Sequence, residues 1–220
     1  MRRIVRALVI VAILFIASEL GVTLLVETRM RMIFRDGTGH EGRFHLNSFP
    51  TVLSLAKGWW REAQWSWEGE TSGEGETADG WRGEIVLGYG GRLRMRDFRW
   101  GLEEAVYGRL PVKGELGKVE LTTSIDLGSL LLSLPGTGPI TGTSGASGSD
   151  ADVECTVEGG ALAVYTASVD LDSKAAATDN LHHNLRLLCR FRPDPPPLGR
   201  SLTGARRAGD ELILSWEPSL

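Results

Sequence analysis

The sequence predicts an α+β protein. A long N-terminal apolar helix of membrane-spanning type is followed by roughly six to nine short antiparallel strands and few helices. Three observations carry this. The first thirty residues, MRRIVRALVIVAILFIASELGVTLLVETRM, place Arg2, Arg3 and Arg6 ahead of an unbroken apolar run from Ala7 to Ala17. Further on, apolar and polar residues alternate in short runs, as at Phe44/Leu46 and Trp65/Trp67. The 28 glycines fall mostly singly between those runs, as turns do in strand-rich chains. A length of 220 residues allows one sizeable core or two small ones. A net charge of −4 gives no reason to expect a nucleic-acid partner.

The run from Ala7 to Ala17 makes a helix of about 17 Å, short of a hydrocarbon core of roughly 30 Å. It resumes from Leu20 to Val26, so Ile4 to Val26 is long enough to cross, with Glu19 as one defect near the far side. Residues 1–26 are therefore expected to be an uncleaved signal anchor and 27–220 an extracytoplasmic domain. A cleaved signal peptide and a buried soluble helix are the rival readings. FIASEL offers no clean small-x-small cleavage site. The three arginines favour the cytoplasmic side, which puts the rest of the chain outside a single-pass membrane segment.

Over residues 20–34, Leu20, Leu24, Met30 or Val26, and Ile33 keep helical spacing, so the helix can continue out of the membrane, and Gly37 and Gly39 end it. GRFHL reads as a strand. Pro50 opens a short helix, TVLSLAKG, whose Val52, Leu53, Leu55 and Ala56 are expected on one face, with Gly58 as its stop. WWREAQWSWEGE alternates as a strand, with one of the adjacent Trp59 and Trp60 facing outward. The acidic EGETSGEGETADG is expected as a solvated loop or hairpin tip. GYGGR, residues 88–92, is expected as a turn between two strands.

In RLRMRDF, Leu93 and Met95 oppose Arg92, Arg94 and Arg96. That outer basic row reads as a solvated face or as a contact for anionic lipid headgroups. Val119, Leu121 and Thr123 alternate as a strand, Asp126 is an N-cap, and LGSLLLSL is a short helix ended by Pro135. Residues 136–149 form a Gly/Ser/Thr loop. A hairpin turns on Gly159-Gly160. Leu187, Cys189 and Phe191 are expected to share one strand face. The chain closes, after the connector DPPPLG, with two edge segments turning at Gly209-Asp210, where Leu212, Leu214 and Trp216 share a face.

Cys155 and Cys189 are the two cysteines. Outside the cytoplasm they can form a disulfide, contributing about 3–4 kcal/mol on the chain-entropy model, or remain two buried thiols. Of the four histidines, His40, His45, His182 and His183, none stands at metal-ligand spacing. No G-x-S-x-G, P-loop or strand-to-helix G-x-G-x-x-G occurs. The carboxylate pairs Asp150/Asp152 and Asp170/Asp172 lie at strand ends. No enzyme, cofactor or metal centre is expected.

Three segments in order resemble one family. NSFPTVLSLAKGWWREAQWSWEG, VELTTSIDLGSLLL and DPPPLGRSLTGARRAGDELILSW are similar to successive units of the actinobacterial LmeA-like phospholipid-binding family, over about residues 20–217. The chain departs from that pattern in its tryptophan load, its loop at 136–149 and its cysteines. The resemblance implies a tubular lipid-binding fold, in which a curved antiparallel sheet wraps a long helix. It also implies phospholipid binding and a role in cell-envelope lipid and lipoglycan maintenance, with no fixed catalytic residues.

On that reading an apolar groove takes the acyl chain of a phospholipid, and its expected lining is Phe49, Leu53, Leu55, Trp65, Trp67, Leu121, Ile125, Leu131, Leu187 and Leu214. A sixteen-carbon chain in water costs on the order of 12 kcal/mol at about 0.8 per methylene, so partial cover suffices for affinity. The alternatives are a cell-surface carbohydrate-binding module, which needs a flat exposed row of tryptophans, and an envelope-assembly partner.

Overall fold

The computed structural model describes residues 2–110, 117–134, 153–168 and 184–219. Helix α1 runs from Arg2 to Thr38, followed by β1 (Gly42–Leu46), α2 (Thr51–Lys57), β2 (Trp59–Thr77), β3 (Arg82–Arg99) and α3 (Leu102–Tyr107). Then come β4 (Lys118–Asp126), α4 (Leu127–Leu132), β5 (Val153–Glu158), β6 (Ala161–Ser168), β7 (Asn184–Pro193), β8 (Gly199–Ala208) and β9 (Glu211–Pro218). The loop at 136–149, His182, His183 and the aspartates 150, 152, 170 and 172 lie outside the described residues.

Among the described residues, nine strands hydrogen-bond in the order β5-β6-β7-β2-β3-β4-β9-β8, with β1 also on β2. The β1–β2, β2–β7, β5–β6 and β6–β7 pairs are antiparallel. The architecture is therefore α+β, a long N-terminal apolar helix with an antiparallel sheet, as expected. β9 lies inside the order between β4 and β8, where the sequence suggested an edge.

The chain divides into two compact units. Unit 1 comprises Met1–Gly69, Gly90–Leu121 and Pro218–Leu220; unit 2 comprises Glu70–Tyr89 and Thr122–Glu217. In unit 1, α1 continues unbroken past Val26, and Gly39 ends it in the left-handed conformation at φ 73°. Val26, Met30, Ile33 and Phe34 form its buried stripe, which packs with β1. The Phe34 ring lies 5.6 Å from Phe44 and 5.0 Å from Trp65, and Trp65 stacks on Trp67 at 4.1 Å. Trp60 and Trp100 form a second pair, and the Trp60 Nε1 donates to the Trp100 carbonyl at 2.6 Å. The tryptophan cluster at 59–67 is thus largely core, while Trp59 remains half exposed.

In unit 2, β5 and β8, the two ends of the strand order, pack against each other, so that unit's sheet is nearly closed. Ile85, Leu87, Leu162, Val164, Phe191, Leu212 and Leu214 are buried there. Asp126 caps α4 as expected, its Oδ1 accepting from the Ser129 N–H at 2.6 Å. Gly159 and Gly160, at φ 58° and 79°, make the two-residue turn between β5 and β6.

Several expectations are corrected. The acidic stretch after Trp67 is strand as far as Thr77, where β2 ends, and only its last residues, 78–80, make the turn into β3. Its exposed or half-buried Glu68, Glu70, Glu74 and Glu76 alternate with buried Thr71, Gly73, Gly75 and Thr77. A Cβ on Gly73 would come within 2.8 Å of the Phe191 ring, so bulkier inward residues find no room there. GYGG is likewise no turn: Gly88–Gly91 lie within β3.

The cysteines are unbridged. Cys155 pairs with Val164 on β6, and Val164 pairs with Cys189 on β7. Their backbones therefore lie two strands apart, about 9.5 Å at the usual strand spacing, beyond the Cα separation a disulfide spans. Leu187 does not share the face of Cys189 and Phe191. A register shift at Val164/Tyr165 pairs Leu187 with Tyr165, whose side chain points away from that of Val164.

Candidate functional site

The residues expected to line a groove divide between the two units. Phe49, Leu53, Leu55, Trp65, Trp67 and Leu121 belong to unit 1; Ile125, Leu131, Leu187 and Leu214 belong to unit 2. They also divide by exposure. Trp65, Trp67, Leu121, Ile125 and Leu214 are buried side chains of packed interiors. Leu55, Leu131 and Leu187 are half-buried. Phe49 is 79% exposed and Leu53 47%. With Trp65 and Trp67 buried and stacked, they offer no flat row to a sugar.

Helix α2 is inverted relative to an ordinary amphipathic helix. It buries Thr51, half-buries Ser54 and Leu55, and turns Val52, Leu53 and Ala56 outward. Leu53 and Leu55 therefore point to different sides, contrary to expectation. The reason lies in α1, against which α2 packs. Pro50 precedes α2 and supplies no side-chain cap. The Glu19 carboxylate does so from α1: Oε2 accepts from the Thr51 N–H at 2.6 Å and Oε1 from the Val52 N–H at 3.3 Å. The hydroxyls of Thr23 and Thr51 meet at 2.7 Å. These polar contacts hold the polar side of α2 against α1 and leave its apolar side uncovered.

Glu19, read from sequence as a defect in an apolar run, is thus only 5% exposed and fully used. Sequence did carry a signal for it: a helix opened by proline without a Ser, Thr, Asp or Asn cap needs an acceptor from elsewhere.

Above Glu19, α1 has two working faces. Opposite the buried stripe, Leu24, Leu25, Thr28, Arg29 and Met32 line an open groove of about 410 Å³. Arg29 is held in place by α3, its Nε donating to the Ala105 carbonyl at 3.0 Å and its Nη2 to the Val106 carbonyl at 3.1 Å. The guanidinium keeps further N–H groups at the groove's rim. The groove thus combines an apolar wall with one fixed cation.

A larger cleft in unit 2, about 1210 Å³, is lined by Glu74, Glu76, Arg82, Glu84, Arg190 and Arg192 among others. Arg82 pairs with Glu76 at 2.8 Å and Arg190 with Glu158 at 2.9 Å. This is a solvated charged face of the sheet. In the basic row of β3, Arg94 is engaged by Glu62, and that hydrogen bond holds the Glu62 carboxyl below its usual range. Among the described residues no group of three or more His, Cys, Asp or Glu side chains is placed to hold a metal. No family model, curated protein or solved structure matches this chain.

Proposed function

We propose that the chain is a single-pass, extracytoplasmic protein that holds the acyl chain of a membrane phospholipid in the groove beside α1, in the service of cell-envelope lipid maintenance. The observation that carries this is the groove of Leu24, Leu25 and Met32 with Arg29 at its rim. It continues the bare apolar face of α1, so an acyl chain leaving the bilayer along that helix meets only the short Thr28 side chain between Leu24 and Met32. The Arg29 guanidinium suits a phosphate, which it can approach with paired N–H donors. The resemblance to LmeA-like proteins points the same way. The lipid is assigned to this open groove and not to the interior around Trp65, Trp67, Ile125 and Leu214, because those side chains are already packed against protein.

The test uses the full chain released from phospholipid nanodiscs in native mass spectrometry. Wild type is expected to retain a phospholipid-sized adduct. Leu24→Glu and Met32→Glu change exposed positions, leave the fold standing, and are expected to lose the adduct. Retention that is equal in all three proteins, or absent from wild type, overturns the proposal.

A further inference from the structure

We infer that the uncovered side of α2, with Phe49 before it, is seated in the outer leaflet of the same bilayer that α1 crosses. This rests on α1 being a span and is independent of the groove reading.

The level of α2 along α1 supports it. Helix α1 is long and apolar enough to cross a membrane, and its large apolar side chains from Ile4 to Ile16 are exposed. A hydrocarbon core of about 30 Å takes about 20 residues at 1.5 Å each, which from Ile4 ends near Thr23. Thr23 is the residue whose hydroxyl meets Thr51, the first residue of α2. Glu19, one turn deeper, caps the same helix. The start of α2 is thereby fixed at the upper edge of the hydrocarbon layer.

The chemistry of the free side fits that depth. Phe49, Val52 and Leu53 are exposed, and so are Leu20 and Leu24 of α1, the helix against which α2 packs. An ordinary surface helix buries its apolar residues and exposes its threonine; this one buries Thr51, exposes Val52 and Leu53, and only half-buries Leu55. Lys57, in the last turn, is exposed, and its charge suits anionic headgroups. Trp59, 46% exposed, follows immediately, and tryptophan favours the membrane–water interface. The two features explain each other: Glu19 is tolerable at the edge of the apolar layer because the backbone of α2 covers it, and α2 faces outward because Glu19 holds its other side.

The experiment places an environment-sensitive fluorophore at Phe49→Cys in a Cys155→Ser full chain. The chain is reconstituted in phosphatidylglycerol vesicles containing phosphatidylcholine brominated on its upper acyl carbons. The control label is at Glu41→Cys, exposed and beyond the far end of α1. The label at 49 is expected to be blue-shifted and quenched several-fold more strongly than the label at 41, with Leu53→Cys behaving like 49. Labels at 49 and 53 quenched no more than the label at 41 overturn the inference. Because α1 anchors every variant, the result does not depend on whether lipid is retained in the groove.

Discussion

Replacing Gly91 by alanine separates a packed interior from a movable groove wall. Gly91 lies in β3, opposite the Trp67 ring. A Cβ there would stand 2.6 Å from Cδ2 of that ring and closer still to Cε2 and Cζ2. Carbon contacts are optimal at about 3.5–4.0 Å, so the overlap is close to an ångström or more. Trp67 cannot simply step aside, because its ring stacks on Trp65 at 4.1 Å and Trp65 in turn lies against Phe34. Overpacking of this kind costs about 1–3 kcal/mol. Gly88 is the internal control: it lies in the same strand, and a Cβ there meets nothing within 4 Å. Gly88→Ala should be neutral or stabilising by up to about 1 kcal/mol. The two substitutions are therefore expected to differ by about 2–3 kcal/mol in urea unfolding of the full chain in mild detergent, with Gly91→Ala the weaker. In a Trp67→Leu background the gap should shrink. Equal stabilities for Gly91→Ala and Gly88→Ala would mean that Trp67 yields freely, and the packed-interior reasoning would be refuted.

Three further outcomes follow from the same structure. Glu19→Ala leaves the amides of Thr51 and Val52 without their acceptor; it should cost about 2–3 kcal/mol and speed hydrogen exchange at both amides, with Glu19→Gln in between. Asp126 is held below its usual 3.8 by hydrogen bonds from Ser129. Its contribution is therefore complete above pH 3.8 and lost as the pH falls through the lower folded value. The deficit of about 1 kcal/mol in Asp126→Ala, measured by thermal unfolding, should accordingly shrink in acid. Non-reducing thiol titration after denaturation should find both cysteines free. In the native protein Cys189, its thiol pushed up to about 12 by burial, should resist alkylation at neutral pH.

The sequence made the local elements legible where a single physical signal ruled. The apolar run after three arginines gave α1, alternation gave β1 and the inner face of β3, and Asp126 gave the start of α4. It misled where a signal had two readings. Glycine next to acid looked like a loop after Trp67, yet in β2 the glycines are inward positions opposite bulky neighbours and the glutamates line the outer side. The bulge that turns Leu187 away from Cys189, and the intervening strand that separates the two thiols, depend on pairing partners remote in the chain. The exposed side of α2 was illegible for the same reason. Its orientation is set by Glu19, some thirty residues upstream on another helix. A list of apolar residues could therefore name Phe49 and Leu53 beside Trp65 and Ile125 without revealing that the first pair faces outward and the second pair is core.

The most direct test of lipid binding is photocrosslinking with a phospholipid that carries a photoreactive group on its acyl chain, in vesicles holding the full chain, followed by peptide mapping. The account predicts adducts reaching past Val26 to Thr28 and Met32, beyond those on the span itself. Adducts confined to the span, or concentrated on Trp65, Trp67, Ile125 and Leu214, would contradict it.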